Sequence, residues 1–238
     1  MKKIVYNTYE EMSSAAADLI AEQLKIKPET VFGFATGSTP EGLYNELIER
    51  VKKKKMDFTK AKAFNLDEYY PIAKTHPQSY TYYMNKNLFS KVKFASTDIP
   101  SGEADDPKAE CARYDAAIKA AGGIDLQILG IGYNGHIGFN EPSKIYNVNT
   151  YLTELTQSTI EANSRFFKEG ESQPATALTI GFGAIFNAKR IILLISGAGK
   201  AEIAKKLFED KIYTDIPASL LKLHKNVTVL MDKPATGK

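Results

Sequence analysis

The chain has 238 residues, 43% hydrophobic and 25% charged, a balance that excludes wholesale disorder. Its 31 Lys and Arg against 28 Asp and Glu leave a net charge of +3, so bulk charge calls for neither nucleic acid nor a membrane surface. A lone cysteine, Cys111, excludes an internal disulfide and any cysteine-built metal centre.

The opening "MKKIVYNTYEE" has two lysines but no apolar stretch, so no signal peptide is expected. No apolar run approaches the ~20 residues needed to span a bilayer, and a cytoplasmic protein is the expectation. In chain order, short apolar runs alternate with longer amphipathic ones. "KIVYN" precedes the helical "YEEMSSAAADLIAEQLK", and "VFGFA" precedes "PEGLYNELIERVKKK". The basic run Lys52 to Lys55 closes the second helix, where cations suit the negative pole of the dipole. "AKAFNLD" follows, then the helical "PKAECARYDAAIKAA", in which Cys111 is a small buried apolar residue. "DLQILGIG", "RIILLIS" and "VTVLMD" complete the apolar runs.

Runs that short and that continuously apolar suit strands covered on both faces. Strands alternating with helices imply right-handed βαβ units. The expected fold is α/β: a three-layer sandwich with a mainly parallel, Rossmann-like sheet flanked by helices. No repeat or long linker interrupts it, so residues 1–238 read as a single domain. In such sheets ligands bind beyond the carboxyl ends of the strands, which directs attention to the loops there.

Four loops carry chemistry. In "FATGSTPEGLY", Thr36, Gly37, Ser38 and Thr39 lead to Pro40, which suits a first helical position. Thr39 is then the expected N-cap, and the loop is either a capped turn or a phosphate cradle at a helix N-terminus. In "FNLDEYYP", Asp67 and Glu68 follow an apolar strand end. They either open a turn or helix before Pro71 or supply a base within reach of a substrate. In "GIGYNGHIGFNEP", Gly132, Gly135 and Gly138 suit positive-φ turns, and Glu141 is close enough to orient His136. His76 lies in a loop before a helix and His224 near a helical end, both unremarkable settings. In "LLISGAGKAEIAKKL", Lys200 sits at a helix start, where its charge opposes the dipole unless an anion is near. Arg165 in "EANSRFF" is a further candidate cation.

Taken together, "ATGSTPEGLY", "FNLDEYY", "HPQSY", "GGIDLQILGIG", "NGHIGFNEP", "ANSRFF" and "SGAGK" resemble, in order, the successive motifs of the glucosamine-6-phosphate deaminase family, in its shorter bacterial branch. The resemblance runs from about residue 30 to 200. It implies conversion of glucosamine 6-phosphate and water to fructose 6-phosphate and ammonia, with no metal or organic cofactor. It also implies roles. Asp67 would remove the C2 proton, His136 would open the pyranose ring, and Glu141 would orient and charge-match His136. Thr36, Gly37, Ser38, Thr39, Arg165 and Lys200 would hold the phosphate. The expected partner is a small-molecule sugar phosphate, with neither nucleic acid nor membrane, in a monomer or homo-oligomer.

Two positions depart from the family pattern. Asn134 stands where many members have aspartate, and Ala35 replaces a proline common before "TG". Asparagine can hydrogen-bond but cannot take a proton, so Asn134 can position His136 but leaves charge matching to Glu141. Two other readings stay open: a related sugar-phosphate isomerase or lactonase, and a sensor domain. The second is disfavoured by the co-occurrence of Asp67, His136 and Glu141, which a pure binder does not need.

Overall fold

The computed structural model describes residues 1–164, 167 and 173–238. Strand β1 (Lys2–Tyr6) leads into helix α1 (Tyr9–Ile26), and β2 (Val31–Phe34) into α2 (Glu41–Lys52). Then come β3 (Lys62–Asn65), β4 (Asp67–Tyr70), α3 (Tyr80–Met84), β5 (Ser96–Asp98), α4 (Pro107–Ala120) and β6 (Leu126–Leu129). The remainder is β7 (Tyr151–Glu154), α5 (Gln157–Ser164), β8 (Thr176–Thr179), α6 (Phe182–Asn187), β9 (Arg190–Ile195), α7 (Ala201–Leu207) and β10 (Val227–Asp232).

Seven strands form the central sheet in the order β1-β10-β9-β6-β2-β3-β5, and every pair in it is parallel. The period-2 alternation of β9 shows why it is apolar from Ile191 to Ile195. Ile191, Leu193 and Ile195 enter one core with residues of α4, α6 and α7, while Ile192 and Leu194 enter the opposite core under α1 and α2. This is the expected three-layer sandwich. Chain order reverses between β2 and β6: β3 and β5 extend one way from β2, β9 and β10 the other way from β6. The loops after β2 and β6 therefore part at a switch point, where α/β sheets open a crevice.

Helix starts follow local chemistry. Thr8 caps α1 by accepting the Glu11 N–H at 3.1 Å, and Glu11 reaches back to the Asn7 N–H at 2.9 Å. Asp106 caps α4, with Pro107 in its first turn. At α2 the expectation is corrected. The helix begins at Glu41, the cap position is Pro40 rather than Thr39, and no side chain of that cap bonds the helix. A remote group does the work: the Tyr9 hydroxyl accepts the Gly42 N–H at 2.7 Å and lies within donating distance of the Ser38 and Thr39 carbonyls.

A second sheet, unforeseen in the sequence, has the order β4-β8-β7 and is antiparallel. Asp67 and Glu68 thus open neither a turn nor a helix; they begin β4, with Asp67 in register with Thr179. Beneath this sheet lies a small apolar cluster of Tyr69, Ile72, Phe139, Leu155 and Ala177. Among the described residues, no helix is long and apolar enough to cross a membrane.

Candidate active site

A cavity of about 420 Å³ opens at the switch point, lined by the segments after β2, β3 and β6, by the start of α7, and by Ser158 and Thr159 of α5. It gathers Thr36, Gly37, Ser38, Thr39, Asp67, Asn134, His136 and Lys200 from four distant stretches of chain. Glu141 stands directly behind His136. Arg165 lies outside the described residues.

The loop after β2 is held by tyrosines. Tyr44 donates to the Ala35 carbonyl, Tyr83 to the Gly37 carbonyl at 2.7 Å, and Tyr9 serves Ser38 and Thr39. With those carbonyls occupied, what the loop can offer a ligand is its N–H groups and hydroxyls. Gly37 has φ +98°, the left-handed region that favours glycine. Across the cavity, Lys200 precedes α7, and its ammonium rests 3.5 Å from the centre of the Tyr133 ring. The loop carrying it is tied down by Asp232, which accepts from Ser196 Oγ at 2.5 Å and from the Gly197 N–H at 3.0 Å.

His136 sits in a relay of hydrogen bonds. Glu141 Oε2 lies 3.2 Å from His136 Nδ1, and Nε2 is the ring nitrogen with no hydrogen bond among the described residues. Asn134 holds both partners, accepting the His136 backbone N–H at 3.2 Å and donating to Glu141 Oε2 at 2.7 Å. Thr159 donates to the other oxygen, Oε1, at 2.5 Å. Burial alone would raise the Glu141 carboxyl, but the hydrogen bond and charge of His136, with those of Thr159 and Asn134, hold it below the usual carboxylate range.

The glycines of this loop act differently from one another. Gly135 and Gly138 have φ of +86° and +56°, as expected. Gly132 does not have a positive φ; a Cβ there would sit 2.5 Å from the His136 ring, so this glycine makes room for the imidazole.

Asp67 is buried at the cavity floor. A Cβ on Gly138 would lie 3.3 Å from its Oδ2, so the histidine loop passes directly against it. Burial, then the neighbouring Glu68 carboxyl, push Asp67 well above the ordinary aspartate range, against a lowering hydrogen bond from the Phe139 N–H. The register partner Thr179 braces the same turn, accepting the Phe139 N–H at 3.1 Å. The site therefore joins a buried carboxylate, a histidine–carboxylate pair, and a hydroxyl-rich loop with a lysine in one crevice.

Thr159, Thr179, Tyr80 and Tyr133 are neighbours that motif reading did not single out. Tyr80 and Tyr133 lay inside quoted motifs, which was the available signal. Thr159 and Thr179 carry none, since only the folding of α5 and β8 brings them near.

The chain is similar to known proteins over nearly its whole length. Residues 7–230 match the family model described as glucosamine-6-phosphate isomerases/6-phosphogluconolactonase. The chain is 50% identical over its whole length to a glucosamine-6-phosphate deaminase of Clostridium botulinum strain Hall, covering 98% of that protein. It is 49% identical to one of Thermoanaerobacter sp. strain X514, again over the whole chain and 94% of the relative. A solved structure of a monomeric glucosamine-6-phosphate deaminase superimposes with a TM-score of 0.95 at 45% identity, over 99% of this chain and 98% of that one. The chain belongs to the glucosamine-6-phosphate isomerase/6-phosphogluconolactonase family.

Proposed function

We infer that the protein is a glucosamine-6-phosphate deaminase, converting glucosamine 6-phosphate and water to fructose 6-phosphate and ammonia. The observation that carries this reading is the convergence of two separate proton-transfer centres, Asp67 and the His136–Glu141 pair, on a crevice walled by an anion cradle. Full-length identity of 50% to a deaminase supports it. A lactonase hydrolyses an ester and needs no base at C2, so the buried, proton-hungry Asp67 favours deamination over that alternative.

The geometry supports the following roles, which the family resemblance implies. The phosphate docks on the Thr36–Thr39 loop and Lys200, with Arg165 as a further cation from outside the described residues. His136 Nε2 takes the proton of the anomeric hydroxyl and delivers one to the ring oxygen, which opens the hemiacetal; Glu141 stabilises the imidazolium between the two transfers. Asp67 then removes the C2 proton of the open-chain aldehyde and C1 is reprotonated, giving a C2 imine. Water adds to that imine and ammonia leaves. Asp67 must be ionised to act. The substrate's C2 ammonium supplies the nearby positive charge that lowers its proton affinity on binding.

Residues 1–238 act as one deaminase-like domain on this reading, supported by the match over residues 7–230. The monomeric neighbour supports a monomer in solution, which light scattering tests. Sugar phosphates do not cross membranes unaided, which supports a cytoplasmic site of action.

The test is ammonia release from glucosamine 6-phosphate with no added metal. No ammonia, together with hydrolysis of a phosphogluconolactone, would overturn the reading. For the base, Asp67→Asn is expected to abolish exchange of the C2 proton with solvent while binding of a phosphorylated sugar survives.

A further inference from the structure

Glu68 follows Asp67 on β4, and strand alternation sends its side chain to the other face. It is buried at 1% exposure. Buried carboxylates are usually matched by a cation. The partners of Glu68 among the described residues are instead backbone N–H groups. Oε1 accepts from Tyr69 at 3.0 Å and from Tyr80 at 2.7 Å, and Oε2 accepts from Thr81 at 2.8 Å. Acceptors are needed on both oxygens, and only a carboxylate offers that; glutamine would aim an NH₂ at an N–H.

Two of those three bonds end on the first turn of α3. That turn carries Tyr80 into the cavity wall. The Tyr80 ring stacks on Phe139 at 5.7 Å and 12° and packs on Tyr69 at 4.9 Å. It lines the cavity together with Thr36, in the phosphate loop, and lies in the field of Asp67. Tyr80 thus spans the distance between the cradle and the base.

We propose that Glu68 is a positioning residue of the deamination site: by clamping the first turn of α3 to the strand that carries Asp67, it fixes Tyr80 as the wall against which the open-chain sugar is presented to the base. The proposal rests on Asp67 being that base. The clamp explains why an acid with no cation partner among the described residues is kept beside the base. It joins two segments that must not slide apart, and its charge acts on Asp67 through one peptide unit.

Glu68→Gln, Tyr80→Leu and the double variant test this, with melting temperature recorded for each. Glu68→Gln is expected to lower kcat roughly tenfold with KM changed little, a loss of about 1.4 kcal/mol. Tyr80→Leu, which leaves the clamp intact, should show a similar loss, and the double variant should be no worse than the poorer single one. The titratable and charged groups around Asp67 are Glu68, whose charge acts on it from the opposite face of β4, Tyr80, Tyr114, and the cavity-lining His136 and Lys200, and only the first loses charge in Glu68→Gln. The acidic limb of kcat/KM therefore moves to lower pH in that variant. Multiplicative losses in the double variant with an unmoved acidic limb would overturn the proposal, as would a Tyr80→Leu enzyme with undiminished kcat. The base assignment fails separately: Asp67→Asn would then still exchange the C2 proton, whatever Glu68→Gln does.

Discussion

The Lys200 ammonium lies 3.5 Å from the centre of the Tyr133 ring, on the rim of the cavity. A cation over an aromatic face is held by the ring quadrupole, worth about 0.5–1 kcal/mol at an exposed site. Tyr133 is 59% exposed, so its ring is placed to hold Lys200 rather than to fill a core. Tyr133→Leu is expected to raise KM for glucosamine 6-phosphate roughly threefold with kcat unchanged, and Tyr133→Phe to retain the wild-type KM. Steady-state kinetics of the two variants check this; equal effects would mean that the hydroxyl, not the ring face, matters.

Asn134 answers a question left open by its departure from the family pattern. Its Oδ1 accepts a backbone N–H, which can only donate, so its Nδ2 is the atom facing Glu141 at 2.7 Å. Aspartate at this position would place two carboxylates together, and such pairs cannot both stay ionised. Asn134→Asp is therefore expected to raise the proton affinity of Glu141, which this hydrogen bond now lowers. The acidic limb of the kcat profile should shift upward in pH. A profile superimposable on wild type would show that Asn134 does not tune Glu141.

Gly132 is the position in the histidine loop that lies against the His136 ring itself. A methyl group there would meet the imidazole at 2.5 Å, closer than real Cβ contacts come. Gly132→Ala is expected to displace His136 from Glu141 and lower kcat by about 10²-fold, the scale of losing acid–base catalysis. Binding of a phosphorylated sugar should hardly change, because the cradle is built by other loops. Titration calorimetry beside kinetics separates the two.

The stability of the protein carries a signature of Glu68. Burial raises its carboxyl from its ordinary 4.5 to about 7, against the lowering effect of the Tyr80, Thr81 and Tyr69 hydrogen bonds. A group with a raised folded value binds more protons folded than unfolded, so its contribution is complete below about pH 4.5 and is lost as pH rises through about 7. The swing is on the order of 3 kcal/mol. Between pH 5 and 8, wild type should lose melting temperature more steeply than Glu68→Gln. Parallel curves from calorimetry would contradict this.

Much of the fold was legible because it is written in local periodicity. "RIILLIS" reads as a strand buried on both faces, and β9 does feed alternate side chains to two cores. The helices at Tyr9 and Pro107 were legible from their caps and apolar spacing. The N-terminus of α2 was misread because its cap is the Tyr9 hydroxyl, a group 33 residues away in sequence. The antiparallel sheet escaped because β4, β7 and β8 are four-residue strands without clear alternation, whose existence depends on finding one another.

The site divides in the same way. By itself the sequence determined the residue types and their loops: Asp67, Asn134, His136 and Glu141, the Thr36–Thr39 turn and Lys200, each after a strand. Only the tertiary structure decided that Gly132 yields space to a ring, that Thr159 and Asn134 share the duty of holding Glu141, and that Glu68 grips Tyr80. Periodicity and capping are set by neighbours within a few residues. Hydrogen-bond partners and proton affinities are set by whatever the folded chain packs alongside, however distant in sequence.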